Sequence, residues 1–186
     1  MKNVISIYEK YNIMFQSEEP KIHKLRKELS NFFSELLVRF VKVSVITDSE
    51  CKFNVKFDLF ENQKDDKDLV IGYETMKLVN EMSENERSEF YSCVRKYFTS
   101  SCRYIVANFP HNSEHLQHAE VADISKRQEM DFSAVRYFVE KYPSLLLKKD
   151  DESQFDAIDA LEAEFFNFQL AEIPSSILFE QRIDRQ

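Results

Sequence analysis

The chain has 186 residues, a net charge of −8, a pI near 5.1 and a single glycine, Gly72. Glycine supplies positive-φ turns and the close backbone approach of phosphate-cradling loops. One glycine therefore excludes a P-loop, a dinucleotide fingerprint and a G-x-S-x-G nucleophile elbow, and the acidic balance argues against a sequence-independent grip on nucleic acid.

At 43% hydrophobic, with 17 Phe and 8 Tyr, the chain is too apolar for intrinsic disorder. A first short helix is expected over residues 4–15. Over residues 20–42, Ile22, Leu25, Leu29, Phe32, Phe33, Leu36, Leu37, Phe40 and Val41 recur at steps of three and four, the signature of one helix face. Pro20 suits the first turn of that helix, and Glu18 and Glu19 favour its positive end. The period then changes. Phe53, Val55, Phe57 and Leu59 alternate, which predicts an extended, hairpin-like arm near residues 43–60. Residues 61–68 are polar and charged and read as a surface loop.

Helix is expected again over residues 68–81 and from Ser83, where Ser83 and Glu86 have capping-box spacing. Phe90, Tyr91, Val94, Tyr97, Phe98, Ile105 and Phe109 follow as an apolar stripe ending at Pro110. A shorter helix is expected over 113–120, and another from Asp131, with Phe132, Val135, Phe138, Val139 and Tyr142 inward until Pro143. The last begins near Ser153, has Asp156 as its reciprocal cap, and carries Phe155, Ile158, Leu161, Phe165 and Phe168. The expected fold is all-α, a multi-helix bundle of about six helices with one short extended segment near 43–60. One helical domain is expected over 1–174, with a loosely held tail over 175–186.

Three cysteines, Cys51, Cys93 and Cys102, form no C-x-x-C pair and read as free thiols of a reducing, intracellular compartment. No apolar run approaches the roughly 20 residues that span a bilayer, so no membrane role is expected. His111, His115 and His118 lie close together, but no cysteine stands nearby in sequence to complete a zinc set, and His23 is remote. They read as helix and cap histidines, with no metal or cofactor expected. The carboxylates Asp150, Asp151, Glu152, Asp156, Asp159, Glu162 and Glu164 crowd one helix and its start, the pattern of a solvated face rather than of a two-metal centre. Cys93 and Cys102 have no partnering histidine signature. Lys21, Lys24, Arg26 and Lys27 form a basic group on the outer face of the long helix. They are the candidate DNA contacts.

Several blocks together resemble hAT-superfamily transposase-derived proteins, especially the domesticated group that carries BED zinc fingers elsewhere. Residues 12–25, NIMFQSEEPKIHKL, have the family's Q-x-E-E-P-x-I-H look. Residues 62–75, NQKDDKDLVIGYET, resemble its loop and G-x-x-T helix entry, which accounts for Gly72. Phe109–Pro110, residues 116–123 (LQHAEVAD), residues 132–143 (FSAVRYFVEKYP) and residues 159–170 (DALEAEFFNFQL) resemble further blocks in order. In such transposases this region is the α-helical insertion that interrupts a ribonuclease-H-like core. The resemblance implies that the catalytic carboxylates and dimerisation segment lie outside this chain. It also implies that an insertion-domain tryptophan has no counterpart here, the chain having no Trp, and that the location is nuclear. The expected function is a non-catalytic helical remnant, not an enzyme, acting as an assembly scaffold through a protein partner or self-association. The alternative is a DNA-contacting accessory domain.

Overall fold

The computed structural model of the chain describes residues 2–16, 22–146 and 153–174. Among them every regular element is helical, with eight α-helices joined by short 3-10 turns. The chain is all-α. The described residues fall into two compact units. One is built on Leu25–His111 with the N-terminal helix, and the other on the residues from Asn112 onward with Ile22–Lys24. That division falls inside the stretch 1–174 expected to be one domain. The expected tail, residues 175–186, lies outside the described residues, as do Pro20, Glu18 and Glu19.

In the first unit, helices α1 (Lys2–Phe15) and α2 (Ile22–Leu37) meet through aromatic rings. Tyr11 lies 4.8 Å and Tyr8 5.5 Å from Phe32, ring centre to ring centre. Tyr11 also donates a hydrogen bond to Glu35. On α2 the buried residues are Leu29, Phe32, Phe33, Leu36 and Leu37, the stripe that the three- and four-residue spacing specifies. Beyond it the rings continue inward. Phe33 stacks on Phe53 at 4.7 Å, Phe40 on Phe98 at 5.4 Å, and Phe57 edges against both Phe33 and Phe40.

Residues 38–72 are where the structure departs from the sequence reading. The arm expected to be extended near 43–60 begins as a helical turn, α3 (Val43–Thr47), and continues through 3-10 turns at Lys52–Asn54 and Phe60–Asn62. Among the described residues the only strand-like pairing is an isolated antiparallel bridge between Val41 and Gln63. Phe53, Val55 and Phe57 are buried while Asn54, Lys56 and Asp58 are exposed, so the alternation reports the faces correctly. It does not create a hairpin, because alternation says nothing about a second strand, and side chains hold this backbone instead. Asn62 donates to Lys56 O, Gln63 to Phe57 O and Lys52 to Ile46 O. Leu59, the last alternating residue, is exposed.

Helix α4 (Tyr73–Glu81) starts directly after Gly72, whose φ of 93° lies in the region where a Cβ would clash. Helix α5 (Glu84–Asn108) opens with the capping box. Ser83 Oγ accepts from the Glu86 N–H, and Glu86 accepts from the Ser83 N–H. The Ser83 hydroxyl also donates to the Glu86 carboxylate, and this bond, with that from the Ser83 N–H, holds the carboxyl below its ordinary pKa. Of the stripe expected on α5, Tyr91, Phe98 and Ile105 are buried, joined by Cys102. Tyr97 is exposed.

In the second unit, α6 (Glu114–His118) leads through 3-10 turns to α7 (Ser133–Lys141) and α8 (Gln154–Leu170). Asp131 accepts from the Ser133 N–H at the start of α7, and Ser153 accepts from the Asp156 N–H at the start of α8. Val139, Leu146 and Ala157 form a small core joined by Ile158 and Leu161, and Phe132 meets Phe165 at 5.7 Å.

Phe33 has no exposed surface and lies between Phe53 and Phe57. Phe33→Ala removes a packed ring that the surroundings do not refill, so urea denaturation should show about 3–5 kcal/mol lost. Tyr104→Ala, at an exposed site, should change stability by less than about 0.5 kcal/mol.

Candidate interaction surface

The second unit holds three of the four histidines, and two of them meet its tyrosines. His115 and His118 are three apart on α6, and Tyr137 and Lys141 four apart on α7, so each pair shares a helix face. His115 Nε2 lies 2.6 Å from the Tyr142 hydroxyl, and its Nδ1 lies 3.4 Å from the Tyr137 hydroxyl. Lys141 donates to the same Tyr137 oxygen at 2.9 Å, a bond that raises its pKa. His118 stacks on the Tyr137 ring at 4.2 Å. Both nitrogens of His115 therefore already have hydroxyl partners. His111 is in the first unit, stacked on Phe53 with its Nδ1 at Phe109 O. Among the described residues no three His, Cys, Asp or Glu side chains are placed to hold a metal ion.

His23, Asp123 and Ser125 are the other group whose types suggest chemistry. Asp123 is buried between two 3-10 turns and accepts from the Ser125 N–H at 3.1 Å and the Ser125 hydroxyl at 2.6 Å. Burial pushes its pKa up, but the two Ser125 bonds, Lys126 and His23 outweigh it and hold the carboxyl below its ordinary range. Burial and Lys24 hold His23 below its ordinary value, against the pull of Asp123. The Ser125 hydroxyl donates to a carboxylate held below its ordinary pKa, a weak base, so it acts as a structural donor. Among the thiols, burial pushes Cys102 up to about 12, with Asp58 adding to it. Such a thiol stays protonated and inert.

Of the candidate DNA contacts, Lys21 lies outside the described residues. Lys24, Arg26 and Lys27 all stand on α2. Lys24 and Lys27, three apart, share a side of that helix, while Arg26 points roughly 160° away from Lys24. The structure thus brings together two of the group. A second basic feature, absent from the sequence reading, is a shallow groove along α5 lined by Ser92, Arg95, Lys96, Thr99, Ser100 and Arg103. Its spacing is helical throughout. Arg95 is occupied by Asp66, Gln63 and Lys64 O, and Arg103 by Asp58. Lys96 alone supplies the groove with a cation not paired in this way.

Helix α8 presents the most distinctive surface. Ala157 and Phe165 face the core of their unit, flanked by Ile158 and Leu161. Phe155, Phe166 and Leu170 lie roughly 120° further round the helix and are 79%, 51% and 82% exposed. Ala163 and Asp159 stand between them on the same stripe, and Glu162 borders it, 3.8 Å from Arg136 of α7. The helix contains Asp156, Asp159, Glu162 and Glu164 but no Lys or Arg. Its C-terminal end is fastened. Gln169 donates to Arg127 O and Met130 O, and Arg127 donates to Ala171 O. An apolar stripe on a helix held in place by its other face is a candidate interaction surface. Phe155, expected on this helix with Ile158, Leu161, Phe165 and Phe168, is exposed. What separates the stripes is burial: Phe165 is covered while its neighbour Phe166, roughly 100° round the helix, is exposed. Asp150, Asp151 and Glu152, counted with this helix in the sequence, lie outside the described residues.

The pKa directions give an acid response with two windows. His23 has a lowered folded value, so its contribution is full above its ordinary 6.5. It is lost as pH falls from there through the folded value, because the unfolded chain takes up the proton first. Asp123, also lowered, keeps its contribution above 3.8 and loses it as pH falls through the folded value. Urea midpoints between pH 7 and pH 5 should therefore fall, and His23→Gln should flatten that slope while leaving the loss below pH 3.8.

No family model, no curated protein and no solved structure matches the chain.

Proposed function

We propose that the protein is a non-catalytic helical interaction domain, an assembly scaffold rather than an enzyme. The single observation that carries this reading is the second apolar stripe of α8. Fully burying each of Phe155, Phe166 and Leu170 would contribute about 1.5–3 kcal/mol, a strong bias toward any surface that covers them. In the family terms of the ordered sequence blocks, the domain is a multi-helix-bundle remnant of the hAT-like transposase insertion region, working in the nucleus. The polar groups of the second unit support the non-catalytic side of this reading, since among the described residues the His115 nitrogens and the Tyr137 and Tyr142 hydroxyls bond one another.

A second reading, a DNA-contacting accessory domain, draws on the shared side of Lys24 and Lys27. Its mark would be duplex binding at low salt that weakens steeply as salt rises and is lost in Lys24→Glu/Lys27→Glu.

The scaffold reading is checked with an apolar fluorescent dye on the native protein. Dye should bind at neutral pH, and Phe155→Ser/Phe166→Ser/Leu170→Ser should remove most of the signal with helicity by circular dichroism unchanged. A folded protein that binds no dye, or whose triple variant binds it undiminished, sinks the assignment to α8.

A further inference from the structure

We propose that the shallow groove along α5 is a binding site for the phosphate monoester group of a small molecule, seated on Thr99 and Ser100 between Lys96 and Arg103. The site belongs to the first unit and does not depend on the α8 stripe. Six side chains line the groove: Arg95, Lys96 and Arg103 with Ser92, Thr99 and Ser100. Each of them donates hydrogen bonds, and no carboxylate is among them. The sequence around them is equally one-sided, since residues 90–113 contain no Asp or Glu. A groove lined by donors alone fits a ligand made of acceptors.

The donors are available and already placed. Among the described residues, the Lys96 ammonium and the hydroxyls of Ser92, Thr99 and Ser100 form no hydrogen bond or ion pair. Thr99 and Ser100 each stand three or four positions from both Lys96 and Arg103, so a cation borders the two hydroxyls one turn away on either side. Asp58 faces Nε and Nη2 of Arg103 at 3.3 Å, which leaves Nη1 for a ligand. Asp66, Gln63 and the Lys64 carbonyl fix Arg95, so its charge is set in place before any ligand arrives.

The number of donors selects phosphate. A carboxylate offers about four lone-pair sites, whereas Lys96, Arg103 Nη1 and the hydroxyls together present roughly eight hydrogens. A phosphate monoester brings three strong acceptor oxygens and a charge of about −1.5 to −2 at neutral pH. The groove, about 260 Å³, is smaller than the roughly 300–1,000 Å³ that holds a drug-sized molecule, so the ester is a small one. Lys96, Ser100 and Arg103 are exposed and their contacts are screened by salt. A dissociation constant on the order of 1 mM is expected.

The experiment is a titration of the nitrogen-15-labelled full chain followed by amide NMR shifts, with glycerol 3-phosphate as the probe. The amides of residues 92–103 should shift saturably, while dimethyl phosphate, a monoanionic diester, and sodium chloride at equal ionic strength should not reproduce the effect. Lys96→Met should weaken binding about tenfold, and Lys96→Arg should restore most of it. Asp58→Asn, which removes the anion that competes for Arg103, should tighten binding severalfold, a gain that partial unfolding does not mimic. Shifts that never saturate, or that sodium chloride matches, overturn the proposal in favour of diffuse screening. Saturable shifts undiminished in Lys96→Met, or confined to other helices, overturn the assignment to this groove. Inorganic phosphate binding more tightly than the ester assigns the groove to the free ion instead. A single-stranded oligonucleotide that saturates the same amides at lower phosphate concentration overturns the small ligand and assigns the groove to nucleic acid.

Discussion

Arg95 holds together the part of the molecule that has no regular structure of its own. From α5 its guanidinium meets Asp66 through two nitrogens at 2.6 and 3.2 Å, Gln63 at 3.0 Å and the carbonyl of Lys64 at 2.7 Å, while lying over the Phe60 ring. A planar fork with several donors suits this task in a way an ammonium does not. It fixes a carboxylate, an amide and a backbone carbonyl in one plane. Gln63, gripped at its oxygen, uses its nitrogen to hold Phe57 O, so the grip on one side chain is passed on to a backbone carbonyl further along the excursion. Arg39 adds the far end, accepting from the Val70 N–H and donating to the Val70 carbonyl. Residues 38–72 thus keep Phe53, Val55 and Phe57 on the core without a sheet.

The two units solve the same problem with different means. The first buries a column of aromatic rings, and its stability lies in packing. The second has a short list of buried apolar residues and relies on polar fastening: the Asp131 and Ser153 starts, the Asp123–Ser125 pair, and the anchoring of α8 by Gln169 and Arg127. A small core of this kind leaves little margin. Helix α8, apolar on two sides, leaves part of the unit's apolar surface uncovered.

Helix positions were legible in the sequence because the periodic signals were strong and the punctuation was explicit. The stripe of α2, the capping box at Ser83 and the stops at Pro110 and Pro143 all have local causes. The excursion was not legible, for a physical reason. Alternation in Phe53, Val55 and Phe57 identifies which side chains go inward, but the partner that makes a strand lies elsewhere in the chain. Here that role fell to Arg95, Asn62 and Gln63, whose contacts no local pattern announces. The start of α4 came out later than its periodicity suggested because Gly72 turns the chain immediately before it. The candidate site was half legible. The acids of α8 and most of its aromatics were counted, but burial separates them into an inner and an outer stripe, and burial depends on what the rest of the unit covers. Lys24 and Lys27 share a side as expected of a basic face, whereas Arg26 follows the helical turn to another.

The contacts of α5 also govern the order of assembly in the first unit. Phe40 meets Phe98, and Gln63, Lys64 and Asp66 meet Arg95, so the same long helix receives both ends of one excursion. Closing the chain between Phe40 and Phe98 carries an entropic cost of about 3–4 kcal/mol before any constant term. Once that loop is closed, the Arg95 contacts add little further closure, because the intervening chain has already been brought to the helix. The ring stack and the guanidinium are therefore expected to form together. An excursion tied to α5 at both ends should open as one block, its hydrogen-bonded amides exchanging together rather than turn by turn.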